Sequence, residues 1–321
     1  MAAIIALAAV LAGCGAAGRA EDATAPAGSQ TLWVVGDGMD GPASKALVSM
    51  MSTRFDAADD VFVYLGDVYS TGTGAEMTRW WNTWMRGKPW MGRALSVLGN
   101  HEYGNRGARG GYYSRWADSR LRFLGADIVR TPRGDPERFH PRVPSARHWS
   151  WTMGGWQPTT FSTPSPVREE RAFGANVRAA RHAGTCHIPI GHHGPHAASD
   201  GSHESETENA RWRPLWNDYR GKAKIWIDAH SHTYHRAIVS APAGAPAVMR
   251  FTVGTGGYSF RRALSPQPRP LPSGRARERA VVNATAAVLA LELTRGRAAW
   301  RLIDHNGNVR DSGSLRCAPG A

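Results

Sequence analysis

Aspartate, asparagine and histidine recur in five short polar motifs spread over most of the chain. They are Val35-Gly36-Asp37, Leu65-Gly66-Asp67, Gly99-Asn100-His101-Glu102, Gly191-His192-His193 and Ala229-His230-Ser231-His232. Carboxylate, amide oxygen and imidazole form a donor set for hard or borderline divalent and trivalent metal ions. The two Gly-Asp pairs alone carry little information. The Gly-Asn-His-Glu block and the His-x-His block carry most of it.

Each motif directly follows an apolar, β-prone run. The runs are Leu32-Trp33-Val34-Val35, Val61-Phe62-Val63-Tyr64-Leu65, Leu95-Ser96-Val97-Leu98, Ile188-Pro189-Ile190 and Ile225-Trp226-Ile227. Open sheets place chemistry on loops beyond the carboxyl ends of their strands, so five such loops can converge. Between the strands, Ala43 to Phe55 reads as a helix with Leu47, Met50 and Met51 as its apolar stripe. Thr73 to Trp90 reads as a second helix, with Trp80, Trp81, Trp84 and Trp90 as core or cleft-wall packing.

A proline- and arginine-rich connector, Thr131 to Arg147, divides the chain. Trp149 to Thr152 and Gln157 to Phe161 read as strands joined by Gly154-Gly155, and Arg168 to Ala183 as a short basic helix. Arg261 to Arg279 holds four prolines and reads as an irregular, solvated excursion. Ala287 to Leu293, Ala298 to Ile303 and Val309 to Leu315 read as edge strands of a second sheet. Asp304-His305-Asn306-Gly307 supplies the last hairpin turn.

At 321 residues and 42% hydrophobic content, the chain can bury a substantial core. Its formal charge is +13. That balance favours anionic partners. No basic block has aromatics interleaved as in a single-strand nucleic-acid platform, so the excess reads mainly as a solvated, arginine-rich surface. Nucleic acid is expected only as a substrate.

Residues 1–13 are uncharged and mostly apolar and read as an export signal, although no Lys or Arg precedes the apolar run. Leu11-Ala12-Gly13-Cys14 resembles a bacterial lipobox with Cys14 as the lipidated residue; cleavage elsewhere, with Cys14 removed, is the alternative. Residues 14–30 then form a tether, and 31–317 a single domain. A lipid on Cys14 would make the protein a cell-surface lipoprotein reaching the membrane through that anchor. Two cysteines remain, Cys186 and Cys317. In an oxidising compartment they are expected to be bridged, with two buried free thiols as the alternative.

From about Trp33 to Cys317 the chain resembles the calcineurin-like metallophosphoesterases, the superfamily that includes the purple acid phosphatases. The resemblance implies an α/β fold, a four-layer α/β/β/α sandwich of two mixed sheets flanked by helices. It implies a dinuclear metal-dependent phosphoric ester hydrolase, with two metal ions drawn from Fe, Mn or Zn. Asp67 would bridge the ions. Asp37 and His232 would bind the first, and Asn100, His192 and His230 the second, with His193 as the alternative to His192. A metal-bridging hydroxide would attack phosphorus directly. His101 would contact the phosphoryl group or the leaving oxygen, and Glu102 would orient a neighbour. His196 and His203 lie where purple enzymes carry substrate-contacting histidines, and His203 is preferred.

The pattern departs from its relatives in three places. Met39 stands where many relatives carry a second histidine ligand. Tyr69 lies two residues beyond Asp67, one short of the tyrosine ligand of the purple enzymes, so ligation and plain packing both stay open. Ala229 replaces a usual glycine, tolerable unless that backbone needs positive φ. Asp228 and His235, which flank the His-x-His pair, read as supporting residues.

The leading function is an exported phosphatase acting on phosphate monoesters. A phosphodiesterase or nuclease is the second reading. A non-catalytic lipid-anchored binding protein on a degenerate scaffold is the third.

Overall fold

Along β1 (Gln30–Val35) Leu32 and Val34 point to one face and Trp33 and Val35 to the other, and all four are buried. A strand buried on both faces needs cover on both sides. The computed structural model describes residues 29–68, 70–71, 73–104, 151–161, 186–195, 223–239, 247–259, 276–282 and 285–317. It supplies that cover with a second sheet on one side of β1 and helices on the other.

The first sheet has six strands. β2 (Val61–Tyr64) and β3 (Ala94–Ser96) run parallel to β1. On the far side of β1 an antiparallel meander adds three strands. These, in order outward, are Ala287–Thr294, Arg297–Asp304 and Val309–Arg316. In chain order they are β10, β11 and β12.

The second sheet is also mixed. β4 (Trp156–Thr160), β5 (Cys186–Ile190), β6 (Ile225–Asp228) and β8 (Val248–Val253) run parallel. β7 (Tyr234–Val239) pairs antiparallel with β8, and β9 (Ala276–Val282) with β7.

The main core fills the space between the sheets, where Leu32, Val63, Leu95 and Leu291 meet Ile188, Ile227 and Phe251. A second core packs Phe62, Tyr64 and Val35 under α1 (Pro42–Ser52) and α2 (Gly74–Trp84). Trp80, Trp81, Trp84 and Trp90 all belong to it, so the tryptophans of this region are packing residues. Thr73 and Glu76 close a capping box at the start of α2.

A disulfide and a charged hydrogen-bonded cluster are among the links between the sheets. Cys186 at the start of β5 is disulfide-bonded to Cys317 just beyond β12, with Cα atoms 6.0 Å apart. Asp311 on β12 accepts hydrogen bonds from Tyr234 and, in bidentate fashion, from Arg236 on β7.

Several sequence expectations need correction. The three C-terminal strands join the first sheet, because β10 pairs with β1. The second helix ends at Trp84, well before Trp90, and a turn leads into a 3-10 helix at Met91–Arg93. Residues 151–152 are not strand, and only Met153 bridges to Trp156 across Gly154-Gly155. Residues 276–279, read as irregular, begin β9. The expected signal segment, Cys14, the connector over 131–147, the basic helix over 168–183, Tyr69, His196 and His203 all lie outside the described residues. So do 260–275.

Candidate metal centre

The loops after β1, β2, β3, β5 and β6 meet at one end of the two sheets, and four of their candidate ligands share an uncommon backbone. Asp37 (φ 57°), Asp67 (φ 56°), His230 (φ 72°) and His232 (φ 50°) are all left-handed. Non-glycine residues rarely adopt this region, and clusters of them mark functional sites. Ala229 is not among the left-handed residues, and its methyl is tolerated. A Cβ on Gly36 would lie 2.8 Å from the Ala229 Cβ, so the methyl is accommodated because position 36 is glycine.

Glu102 organises the carboxylate side. It is fully buried within α3 (Asn100–Gly104) and accepts from the backbone N–H groups of Asp67 (2.9 Å), Val68 (2.8 Å) and Gly99. One carboxylate therefore holds two ligand loops together, which bears out its orienting role. Gly99 is demanded by close approach, since a Cβ there would lie 2.1 Å from Asp67 Oδ1.

Asp67 Oδ1 accepts from the His101 N–H at 3.1 Å, and Asp67 Oδ2 lies 3.2 Å from His192 Nε2. Asn100 Oδ1 is 3.0 Å from the same nitrogen. The other ring nitrogen, His192 Nδ1, donates to the Leu65 carbonyl at 2.7 Å. That bond fixes the ring and turns Nε2 towards the acidic groups. Asp37 Oδ2 accepts from the His230 N–H at 2.9 Å. Asp37 Oδ1 is buried with no hydrogen-bond partner, 3.8 Å from His232 Nε2.

Among the described residues two groups of ligand atoms each fall within 4.8 Å: Asp37, Asp67 and His192, and His192, His193 and His230. The structure thus brings together Asp37, Asp67, Asn100, His192, His230 and His232. It also places His193 in the cluster, its ring 4.2 Å from that of His230, so both adjacent histidines face the site.

The electrostatics call for a cation. Burial pushes the Asp37 carboxyl well above its usual range, and Asp67 and Glu102 reinforce the shift. Burial likewise raises Glu102 to about 7, with Asp67 adding to it. Burial opposes ionisation of Asp67 too, but His192, His101 and His230 hold it below the usual carboxylate range. His192 is correspondingly raised to about 10 by Asp67, Asp37 and Glu102, against its burial. No lysine or arginine among the described residues pairs with Asp37 or Asp67. Three buried carboxylates, an orphaned Asp37 oxygen and a fan of imidazoles fit metal ions.

His101 sits at the rim, part-exposed, with Nδ1 donating to the Ser70 carbonyl at 3.0 Å. That leaves Nε2 on the site side, 3.9 Å from Asp67 Oδ2. Met39 packs against the helix-side core and supplies no ligand. Asp228 forms a buried bidentate pair with Arg250 and accepts from the Thr252 hydroxyl, a supporting role as expected.

One element escaped the sequence reading. Gly254 to Ser259, after β8, is stitched to the ligand loops. Gly254 N–H donates to the Thr233 carbonyl, Gly256 N–H to the Gly36 carbonyl, and Tyr258 N–H to the Asp37 carbonyl. The Ser259 hydroxyl hydrogen-bonds His232 Nδ1. Its only sequence signal is the glycine-dense run Gly254-Thr255-Gly256-Gly257 after an apolar strand.

The family model for calcineurin-like phosphoesterases matches residues 33–234. Among solved structures the chain is similar to the GAP50 anchor in the inner membrane complex of Plasmodium. The identity is 12% and the TM-score 0.58, with 91% of this chain and 90% of that chain covered. It is similar also to a dimetal phosphatase from Danio rerio, at 9% identity and a TM-score of 0.53, covering 90% and 99%. At these identities the likeness is one of fold, and it agrees with the two mixed sheets described above. No curated protein matches the chain.

Proposed function

The chain belongs to the calcineurin-like phosphoesterase family, and from that premise we propose that it is an exported phosphatase that hydrolyses phosphate monoesters with two metal ions, drawn from Fe, Mn or Zn. Asp37, Asp67, Asn100, His192, His230 and His232 would hold the ions, with His193 available beside them. One observation carries this reading. Asp67 and Asn100 converge on His192 Nε2 at 3.2 and 3.0 Å, while the neighbouring Asp37 Oδ1 is buried without a hydrogen-bond partner.

When bound, such cations draw electron density from phosphoryl oxygens and lower the pKa of water. The protein's own residues do the rest. The left-handed backbones at Asp37, Asp67, His230 and His232 aim their side chains into one space before any substrate arrives. Glu102 keeps the Asp67 and Asn100 loops in register. The Ser70 carbonyl holds a His101 proton on Nδ1 and turns Nε2 towards the site, where, when protonated, it can donate to a phosphoryl oxygen or give its proton to the leaving alkoxide. By the family resemblance, His203 would contact the substrate.

Export is supported by the lipobox-like Leu11-Ala12-Gly13-Cys14 and by the Cys186–Cys317 disulfide, which suits an oxidising compartment. The test is an assay of the full chain, supplied in turn with Fe, Mn and Zn, on a phosphate monoester and a phosphate diester. Metal-dependent turnover favouring the monoester is expected. Preference for the diester would move the reading to a phosphodiesterase, and no turnover on either would overturn it.

A further inference from the structure

Among the described residues, Tyr64, Tyr234, Trp80, Trp84, Trp90, Trp156 and Trp226 are all fully buried. Among the described residues only two large apolar side chains are exposed, Tyr258 at 46% and Val309 at 42%. Val309 opens the edge strand β12. Tyr258 instead stands at the metal centre. Its N–H is bonded to the Asp37 carbonyl at 3.0 Å, and the next residue, Ser259, holds His232. Its ring meets His232 edge to face, with centroids 5.5 Å apart and planes at 82°.

The backbone of Tyr258 is therefore fixed to one candidate ligand, and its ring rests on another. An edge-to-face contact leaves part of the tyrosine ring unused. Tyr258 is nearly half exposed while its ring touches His232, so the residue offers open surface next to that candidate ligand. Aromatic rings bind other rings in offset-stacked or edge-to-face pairs. A planar group attached to the ester oxygen of a substrate held at the metal centre would reach such a surface. A bare alkyl group would gain much less from it.

Building on the phosphoester-site reading above, we infer that Tyr258 is a substrate-contacting, specificity-determining residue that takes an aromatic ring on the leaving alcohol, as in an aryl phosphate. The Tyr258 backbone hydrogen bond to Asp37 and the Ser259 hydroxyl on His232 position the ring; the ring itself makes the selection.

The test uses the full chain with saturating Mn2+ and measures equilibrium binding of phenylphosphonate and methylphosphonate by titration calorimetry. These probes share the anionic head and differ in the ring. Wild type is expected to bind phenylphosphonate about tenfold more tightly than methylphosphonate. Tyr258→Phe keeps that preference. Tyr258→Leu, an apolar replacement at an exposed position, brings the two within about twofold of each other. Equal binding by wild type, or a preference that survives in Tyr258→Leu, overturns the inference and leaves the phosphoester site standing. Failure of wild type to bind either probe overturns the site reading and this inference with it.

Discussion

His192 Nε2 lies 3.2 Å from Asp67 Oδ2, both side chains being buried, and the Leu65 carbonyl holds the opposite ring nitrogen at 2.7 Å. The imidazole is thus locked from behind and presented to a carboxylate in front. Leu65 and Asp67 belong to the same strand-end segment, so the loop that supplies the carboxylate also aims the imidazole.

Asn100 and His101 are adjacent but do different things, and substitution separates them. Asn100→Ala removes an oxygen from the cluster around His192 Nε2 and lowers bound metal. His101→Ala leaves the metal content unchanged and cuts turnover by roughly a hundredfold or more. Elemental analysis and kinetics on the same preparations check both. Full activity in His101→Ala would remove its role.

Glu102→Ala leaves three backbone N–H groups, those of Asp67, Val68 and Gly99, without their buried acceptor. Each such loss costs about 1–3 kcal/mol. Denaturant unfolding is expected to show a loss of at least about 2 kcal/mol, and metal affinity falls with it because two ligand loops come apart. A variant as stable as wild type would show that Glu102 is dispensable for loop order.

Much of this site is legible in the sequence, because a strand followed at once by Gly-Asp or Gly-Asn-His is a local pattern. Asp37, Asp67, Asn100, His192, His230 and His232 all lie in such patterns and all converge. Sheet membership is not local. The strand over 287–294 looks the same whichever sheet takes it, and only its pairing with β1 decides. Proline density over 266–272 obscured the start of β9, since arginines and alanines carry no strand alternation. Tyr258 and Ser259 were missed because neither is a ligand type at a recognised spacing. Their importance comes from one backbone bond to Asp37 and a hydroxyl bond to His232.

Glu76 gives a pH signature away from the metal centre. Burial opposes its ionisation, but the Thr73 N–H and the hydroxyls of Thr71, Ser70 and Thr73 outweigh that and hold it down to about 2. A depressed carboxyl stabilises the fold above its unfolded pKa and loses that contribution as pH falls through the folded value. Glu76→Gln is therefore expected to be less stable than wild type by roughly 1–3 kcal/mol near neutral pH. The gap closes as pH drops from 4.5, the ordinary carboxyl value, to about 2. Urea unfolding across that range checks it; a gap independent of pH would count against the carboxylate.

The Cys186–Cys317 bridge joins the two sheets near the C-terminal end of the domain. Replacing both cysteines by serine is expected to lower stability by about 2–4 kcal/mol. Wild type treated with a reductant moves to the same unfolding midpoint as the double variant. A reductant-insensitive midpoint would mean that the bridge does not support the fold.

The central claim is that Asp37, Asp67 and the histidines around them form a metal centre, and elemental analysis of the purified chain tests it most directly. The account predicts about two transition-metal ions per chain, lost in Asp67→Asn. A chain that carries no tightly bound transition metal, and takes up none on reconstitution with Fe, Mn or Zn, would contradict it.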